Sequence, residues 1–377
     1  MRRGLGLAVV VAALAVAAAA TAARIEAPSV QASSYLLTTT LDGRSLLARA
    51  PDEPRPMASL TKLMTVLVAR DHLRPETIVT VPAAATAIGE SSIYLRAGQR
   101  LPARDLYVGA LVPSANDAAT ALAIVSARGS QPRFVRWMNR KAKQLGLRNT
   151  RFLNPHGLDA PGHQASARDL AKLLTVALDD PLIRRYSRMS SAILSNGVRV
   201  DSTDNLIDRF RGFVGGKTGH TGDAGWAQVA AVQRDGVTVT AVVLGDPTEA
   251  QRDADLAALL RYGLASYRVA RIVDPARVYA TVEVGWGRRP LELVAARAVA
   301  APVPAWRPLV EKAEAPLVAK LPIHRGQQLG WVSVRDGARL VARRPLVAAR
   351  AVPEPTSLEK ARYLARRTFG HLFGWLT

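Results

Sequence analysis

The chain has no cysteine among its 377 residues, so disulfides and a lipid-modified N-terminal cysteine are both excluded. It has no H-E-x-x-H run and no dense cluster of histidine and carboxylate, and nothing in it argues for a metal or another cofactor. No G-x-S-x-G nucleophile elbow is present. The Gly-Lys-Thr run at 216–218 is not a phosphate loop, because the glycine that pattern needs at position 211 is Arg211. No repeat of fixed period is visible. Acidic residues are scarce beside basic ones, 30 against 51, which leaves a net charge of +21 and favours anionic partners.

What is present is ordinary globular material, 49% hydrophobic and 21% charged, long enough for a main domain and a smaller second one. The N-terminus reads as an export signal over 1–23. Arg2 and Arg3 precede an apolar stretch from Leu5 to Ala20, and Ala20-Thr21-Ala22 offers one cleavage site. An uncleaved anchor is the alternative, but the alanine-dominated stretch is weakly hydrophobic and favours cleavage. Export turns the positive charge toward anionic lipid headgroups and acidic wall polymers rather than nucleic acid. A generally basic proteome would give the same count.

After a short polar lead-in, two strand-like runs flank Asp42-Gly43, a hairpin signal. Helical patterns follow at 103–111, 115–127, 134–145 and 166–178, the last opened by Ser166 and Asp169 in capping spacing. Beyond Asp180-Pro181 the pattern becomes strand-like at 192–200, then at 227–232 and 237–244 around Asp235-Gly236, before a helix over 249–265. The expected class is α/β (α+β): an N-terminal hairpin joins a sheet of later strands, with helices between. We place this domain at 24–270. Short strands interrupted by Pro302, Pro304 and Pro308 mark a small β-rich domain at 271–352. The segment 353–377 is a linker and an amphipathic helix. Leu358, Ala361, Leu364, Ala365, Phe369, Leu372, Phe373 and Trp375 share one face, opposite Glu359, Lys360, Arg366 and Arg367. That fits a helix lying in an anionic membrane surface better than one packed on its own domain.

Three short motifs carry chemistry. Ser59 and Lys62 form an S-x-x-K pair at the start of the apolar run 63–69. On a helix they share a face, and the amine can activate the otherwise poor hydroxyl nucleophile. The pair alone is weak evidence, since Ser357 and Lys360 repeat it on a solvated helix. A loop ending at Pro56 puts Ser59 at a helix N-terminus, where N–H groups suit an oxyanion hole or a simple cap. Ser114 and Asn116 follow Pro113 between two helices, where they form either a cleft pair or a capping residue beside a solvated amide. Gly215-Gly216-Lys217-Thr218-Gly219-His220-Thr221-Gly222 combines close backbone approach, a cation and a hydroxyl, which suits a carboxylate.

In this order S-x-x-K, S-x-N and K-T-G are the set of the penicillin-recognising serine acyl-enzymes. With their extended contexts at 56–65, 113–119, 154–159 and 216–221, they resemble the low-molecular-mass penicillin-binding proteins that act as serine-type D-alanyl-D-alanine carboxypeptidases. The likeness covers roughly 35–265, with the β domain and last helix matching by layout. It implies a β-lactamase/transpeptidase-like domain with an antiparallel sheet and a helical cluster. Its substrate would be a peptidoglycan stem peptide, and β-lactam antibiotics would acylate it, on the outer side of the cell membrane.

Residue by residue, the resemblance implies Ser59 as nucleophile, Lys62 as its base and Ser114 as proton relay. Asn116 would bind the amide on the acyl side, and Lys217 would hold Ser114. Thr218 and Arg252 would bind the terminal carboxylate, Arg252 having an exposed helical arginine as its alternative reading. The N–H groups of Ser59 and His220 would form the oxyanion hole, with Gly219 completing K-T-G. His156 reads as structural, against a Ser-His-Asp rival that would pair His156 or His163 with Asp159. A class A β-lactamase is disfavoured because the loop 151–164 holds no glutamate. An endopeptidase or transpeptidase of the same fold and a catalytically silent wall- or membrane-binding protein are the remaining alternatives.

Overall fold

Asp42-Gly43 turns the chain between β1 (Ser34–Thr39) and β2 (Ser45–Arg49), with Gly43 in the left-handed region and Asp42 accepting from Arg44 N at 3.2 Å. The computed structural model describes residues 9–12 and 25–373, with side chains from 25 to 366. Two compact units emerge, one spanning Ile25–Ser266 and the other beginning at Tyr267 and including the strand Val9–Ala12. The rest of the expected export signal lies outside the described residues.

In the first unit the hairpin joins β3 (Phe213–Thr221), β4 (Gly225–Arg234) and β5 (Val237–Asp246) in an antiparallel sheet of order β2-β1-β5-β4-β3. Alternation along β1 and β5 sends Leu36, Val242 and Leu244 into the main core. Leu37 and Val239 point to the other face, against Gly263 of α7 (Glu249–Ala265). A Cβ at Gly263 would stand 3.1 Å from both, so glycine lets this helix lie close on the sheet. The main core surrounds α1 (Thr61–Arg70), apolar and buried on nearly every side, as a central helix must be. Around it lie α2 (Ala103–Leu111), α3 (Asn116–Ser126), α4 (Gln131–Gln144), α5 (Ala167–Ala177) and the short α6 (Pro181–Tyr186). The cap expected of Ser166 is present, accepting from Asp169 N at 3.2 Å.

Three details differ from the sequence reading. The run 192–200 is not one strand. Gly197 takes a left-handed φ of 83°, Asn196 accepts from Val198 N, and the chain folds back as Ser191–Ile193 and Arg199–Asp201. The polar lead-in is not free either: Val30 and Ala32 are buried, and the N–H groups of Gln31 and Ala32 both donate to Asp255 on α7. In the second unit Pro302 and Pro304 lie inside a strand, Val299–Pro304. Among the described residues it pairs only with Tyr267–Val273, and a two-stranded ribbon tolerates the missing donors.

The second unit has its own core, with Val282, Leu291, Leu293, Val332 and Leu346 at its centre. Its last helix, α8 (Ser357–Phe373), touches the same unit through Glu359, paired with Arg288 at 2.9 Å, and Tyr363, whose ring meets Trp286. Leu358 and Leu364, the described leucines of the apolar face, are 60% and 54% exposed. The side chains of Phe369, Leu372 and Phe373, and all of Trp375, lie outside the described residues. No described helix is long and apolar enough to cross a membrane.

Candidate active site

Ser59 sits in a short 3-10 turn, Ala58–Leu60, that runs directly into α1. Ala58 has a φ of 47°, a conformation that an alanine adopts only when its surroundings force it. Two glycines do so. A Cβ at Gly157 would lie 2.1 Å from Ala58 O, and one at Gly219 would lie 2.9 Å from Ser59 N. Gly157 is fixed in turn by Asn154, whose Oδ1 accepts from its N–H at 2.7 Å, while Thr65 donates to Pro155 O at 2.6 Å. The segment 154–158 and the K-T-G strand therefore grip the serine turn from two sides.

Lys62, one turn along α1, is fully buried. Its Nζ donates to Ser59 Oγ at 2.6 Å and to Asn116 Oδ1 at 2.7 Å, and reaches Ser114 Oγ at 3.5 Å. Lys217, also buried, donates to Ser114 Oγ at 2.8 Å and to the carbonyl of Thr218 at 2.9 Å. The three motifs thus form one hydrogen-bonded chain, from Ser59 through Lys62 and Ser114 to Lys217. Burial takes Lys62 well below the usual lysine range, and the charge on Lys217 pushes it further. Burial also lowers Lys217, to about 7, with Asp204 opposing and Arg252 assisting.

Ser114 has a φ of 64°. The loop over it is pinned by Asp117, whose carboxylate accepts from Ser92 Oγ at 2.6 Å and from the N–H groups of Ile93 and Leu95. The oxygen of Asn116 accepts from Lys62, and its Nδ2 donates to Gly89 O at 3.1 Å.

K-T-G lies on β3, the free edge of the sheet, with Lys217 and Thr218 buried and His220 exposed. Thr218 Oγ1 meets Thr203 Oγ1 at 2.5 Å, and the His220 ring stacks on Trp226 at 4.1 Å. Arg252 is not an exposed helical arginine. It is 1% exposed, its Nε and Nη2 are held by Asp253 at 2.9 and 2.6 Å, and it lies over the Trp226 ring. The helix position brings its charge near Lys217 without bringing its donors to the surface.

The histidines do not form a triad. His163 accepts from Leu153 N at its Nδ1, which leaves Nε2 to donate to Thr61 Oγ1 at 2.7 Å. His156 Nδ1 accepts from Leu158 N. Burial lowers both to about 4, so both are neutral. Asp159 is used elsewhere, accepting from Thr221 Oγ1 at 2.6 Å and from Asp223 N, which ties this loop to the end of β3.

Sequence reasoning passed over Asp117, Thr203, Asp204 and Trp226. Asp117 adjoins S-x-N and could have been questioned there. The others gain meaning only from the strands that bring them under K-T-G.

A family profile described as D-alanyl-D-alanine carboxypeptidase matches residues 21–248. The chain belongs to this family. The carboxypeptidase DacD of Salmonella typhimurium is 32% identical over 87% of this chain and 88% of its own. DacC of Escherichia coli is 33% identical over 88% and 86%. Among solved structures, the carboxypeptidase DacD of Francisella tularensis aligns with a TM-score of 0.64 at 25% identity, over 88% of this chain and 96% of its own. Penicillin binding protein 5 of Haemophilus influenzae aligns with the same score at 27% identity, over 88% and 100%. The carboxypeptidase family and its penicillin-binding fold thus account for both the motif order and the architecture, and the protein is a serine peptidase.

Proposed function

We propose that this D-alanyl-D-alanine carboxypeptidase removes the terminal D-alanine of peptidoglycan stem peptides through an acyl-enzyme on Ser59. The observation that carries the reading is the 2.6 Å contact from Lys62 Nζ to Ser59 Oγ, in a setting where burial and Lys217 favour the neutral amine. Ser59 Oγ attacks the carbonyl between the two D-alanines while its proton passes to Lys62. The oxyanion takes hydrogen bonds from the N–H groups of Ser59 and His220. Ser114 hands a proton to the departing amine as the C–N bond breaks and is reprotonated by Lys62, which becomes neutral again. Water then attacks the ester while Lys62 takes its proton and returns it to Ser59 Oγ as the acid leaves. Thr218 and the Lys217 charge receive the terminal carboxylate, and Arg252 strengthens that positive field from behind Trp226. A β-lactam amide enters the same first step and stays as a ring-opened ester.

Export by the N-terminal segment would bring the site to the wall. The exposed Leu358 and Leu364 of α8, near Lys360 and Arg362, support attachment to an anionic membrane surface.

Incubating the signal-free protein with labelled penicillin should give a covalent adduct on Ser59, absent from Ser59→Ala. No adduct refutes the acyl-enzyme. A peptide ending in D-Ala-D-Ala should release D-alanine; acylation without that release points to an endopeptidase or transpeptidase. Deleting 357–377 should move the protein to the soluble fraction, and unchanged fractionation would remove the anchor.

A further inference from the structure

One buried ionisable group beside the site has no part in these steps. Asp204, 9% exposed, lies on the segment ahead of the K-T-G strand, where Thr203 touches Thr218. Its Oδ1 accepts from Leu206 N at 2.9 Å and Gln228 Nε2 at 2.7 Å. Its Oδ2 is buried with no protein hydrogen bond, and it faces Gly216, where an added Cβ would come within 2.9 Å of it. Gly216 directly precedes Lys217. A carboxylate oxygen in such a place is costly unless opposite charge compensates it. Burial raises the Asp204 carboxyl, and the charges that hold it down are Arg252 of α7 and Lys217 of β3; Gln228 of β4 is neutral.

We propose that Asp204 is the buried counter-charge that keeps the proton on Lys217 and off Lys62, a positioning residue for the general-base step. Two ammonium groups joined through Ser114 in a buried site repel each other, so one proton is shed. Which lysine sheds it depends on the unequal charges around the pair. Asp204 acts on Lys217, whereas Lys62 faces Glu90 and Asp117. Glu90 is exposed and screened by solvent, and Asp117 is already occupied by the Ser92 hydroxyl and the Ile93 and Leu95 N–H groups. Of these three carboxylates, Asp204 is the one with a buried oxygen that no protein hydrogen bond takes up. It therefore tips the balance toward a charged Lys217 and a free base at Lys62.

The inference rests on the acyl-enzyme reading and is tested by the pH profile of penicillin acylation. The active form needs neutral Lys62 and charged Lys217, so the profile is a bell whose alkaline limb reports Lys217. Asp204→Asn keeps the shape and removes the charge. Its alkaline limb should move down by about one pH unit or more, and adding Gln228→Glu, which returns a carboxylate to the same pair, should move it back. A uniform loss of rate with both limbs in place overturns the proposal. If Asp204→Asn does not fold, Gln228→Met serves instead. Losing one donor lets Asp204 take up its proton at higher pH, so the acid limb should rise, and an unmoved limb in the folded variant overturns the proposal. Wild-type protein that forms no adduct sinks the acyl-enzyme reading. Normal wild-type acylation beside unmoved limbs sinks only the role of Asp204.

Discussion

Lys62 Nζ donates to Asn116 Oδ1 at 2.7 Å, so the amide of the S-x-N motif is bound to the base that the S-x-x-K motif supplies. A neutral acceptor steadies the amine without fixing a proton on it. Asn116→Asp would put a carboxylate there and favour the ammonium form. The acid limb of the acylation profile should move up by about 1–3 pH units, with activity recovering in alkali. Stopped-flow acylation across pH measures this; a variant inactive at every pH would show that the amide does more than hold Lys62.

The narrow gap between β3 and the serine turn gives a second test. Gly219→Ala would press a methyl to within 2.9 Å of Ser59 N, disturbing the donor proposed for the oxyanion. Acylation should fall by roughly 10²-fold, the typical cost of one such donor. Gly222→Ala, three residues on with open space around it, should leave the rate unchanged. Equal rates in the two variants would remove the strand's role in shaping the turn.

Asp246 makes stability depend on pH between 3.8 and about 8. Asp246 is 1% exposed, and burial, with the Asp255 charge beside it, raises its carboxyl to about 8. The folded protein therefore binds a proton that the unfolded chain releases near 3.8. The associated stability is fully present below about 4 and is lost as pH rises toward 8. Asp246→Asn should flatten the melting temperature over that range. An unchanged slope would show that Asp246 does not titrate this way.

The buried histidines act with the opposite sign. His156 and His163 are lowered from 6.5 to about 4, so stability present above 6.5 is lost as pH falls toward 4. His163→Gln can still donate to Thr61 and accept from Leu153 N, and it cannot become charged. It should melt less steeply with acid than the wild type; an identical acid slope would assign that loss to other groups.

The order of the three motifs, the Asp42-Gly43 and Asp235-Gly236 hairpins, the helix over 249–265 and the β-rich C-terminal stretch were all readable from local pattern. Turn chemistry and periodicity act between near neighbours, so single residues announce them. The pairing of Lys62 with Asn116, the burial of Arg252 under Trp226 and the placing of Asp204 beneath Gly216 were not readable. The first is made by α1 meeting α3, the second by α7 packing on β4, and the third by the segment ahead of β3 folding back on that strand, each across an intervening stretch of chain. The chemistry depends on which buried charges then face one another. The sequence alone determined which side chains were available to act; the tertiary structure decided which lysine carries the proton, because desolvation and charge pairing exist only once the chain has closed around them.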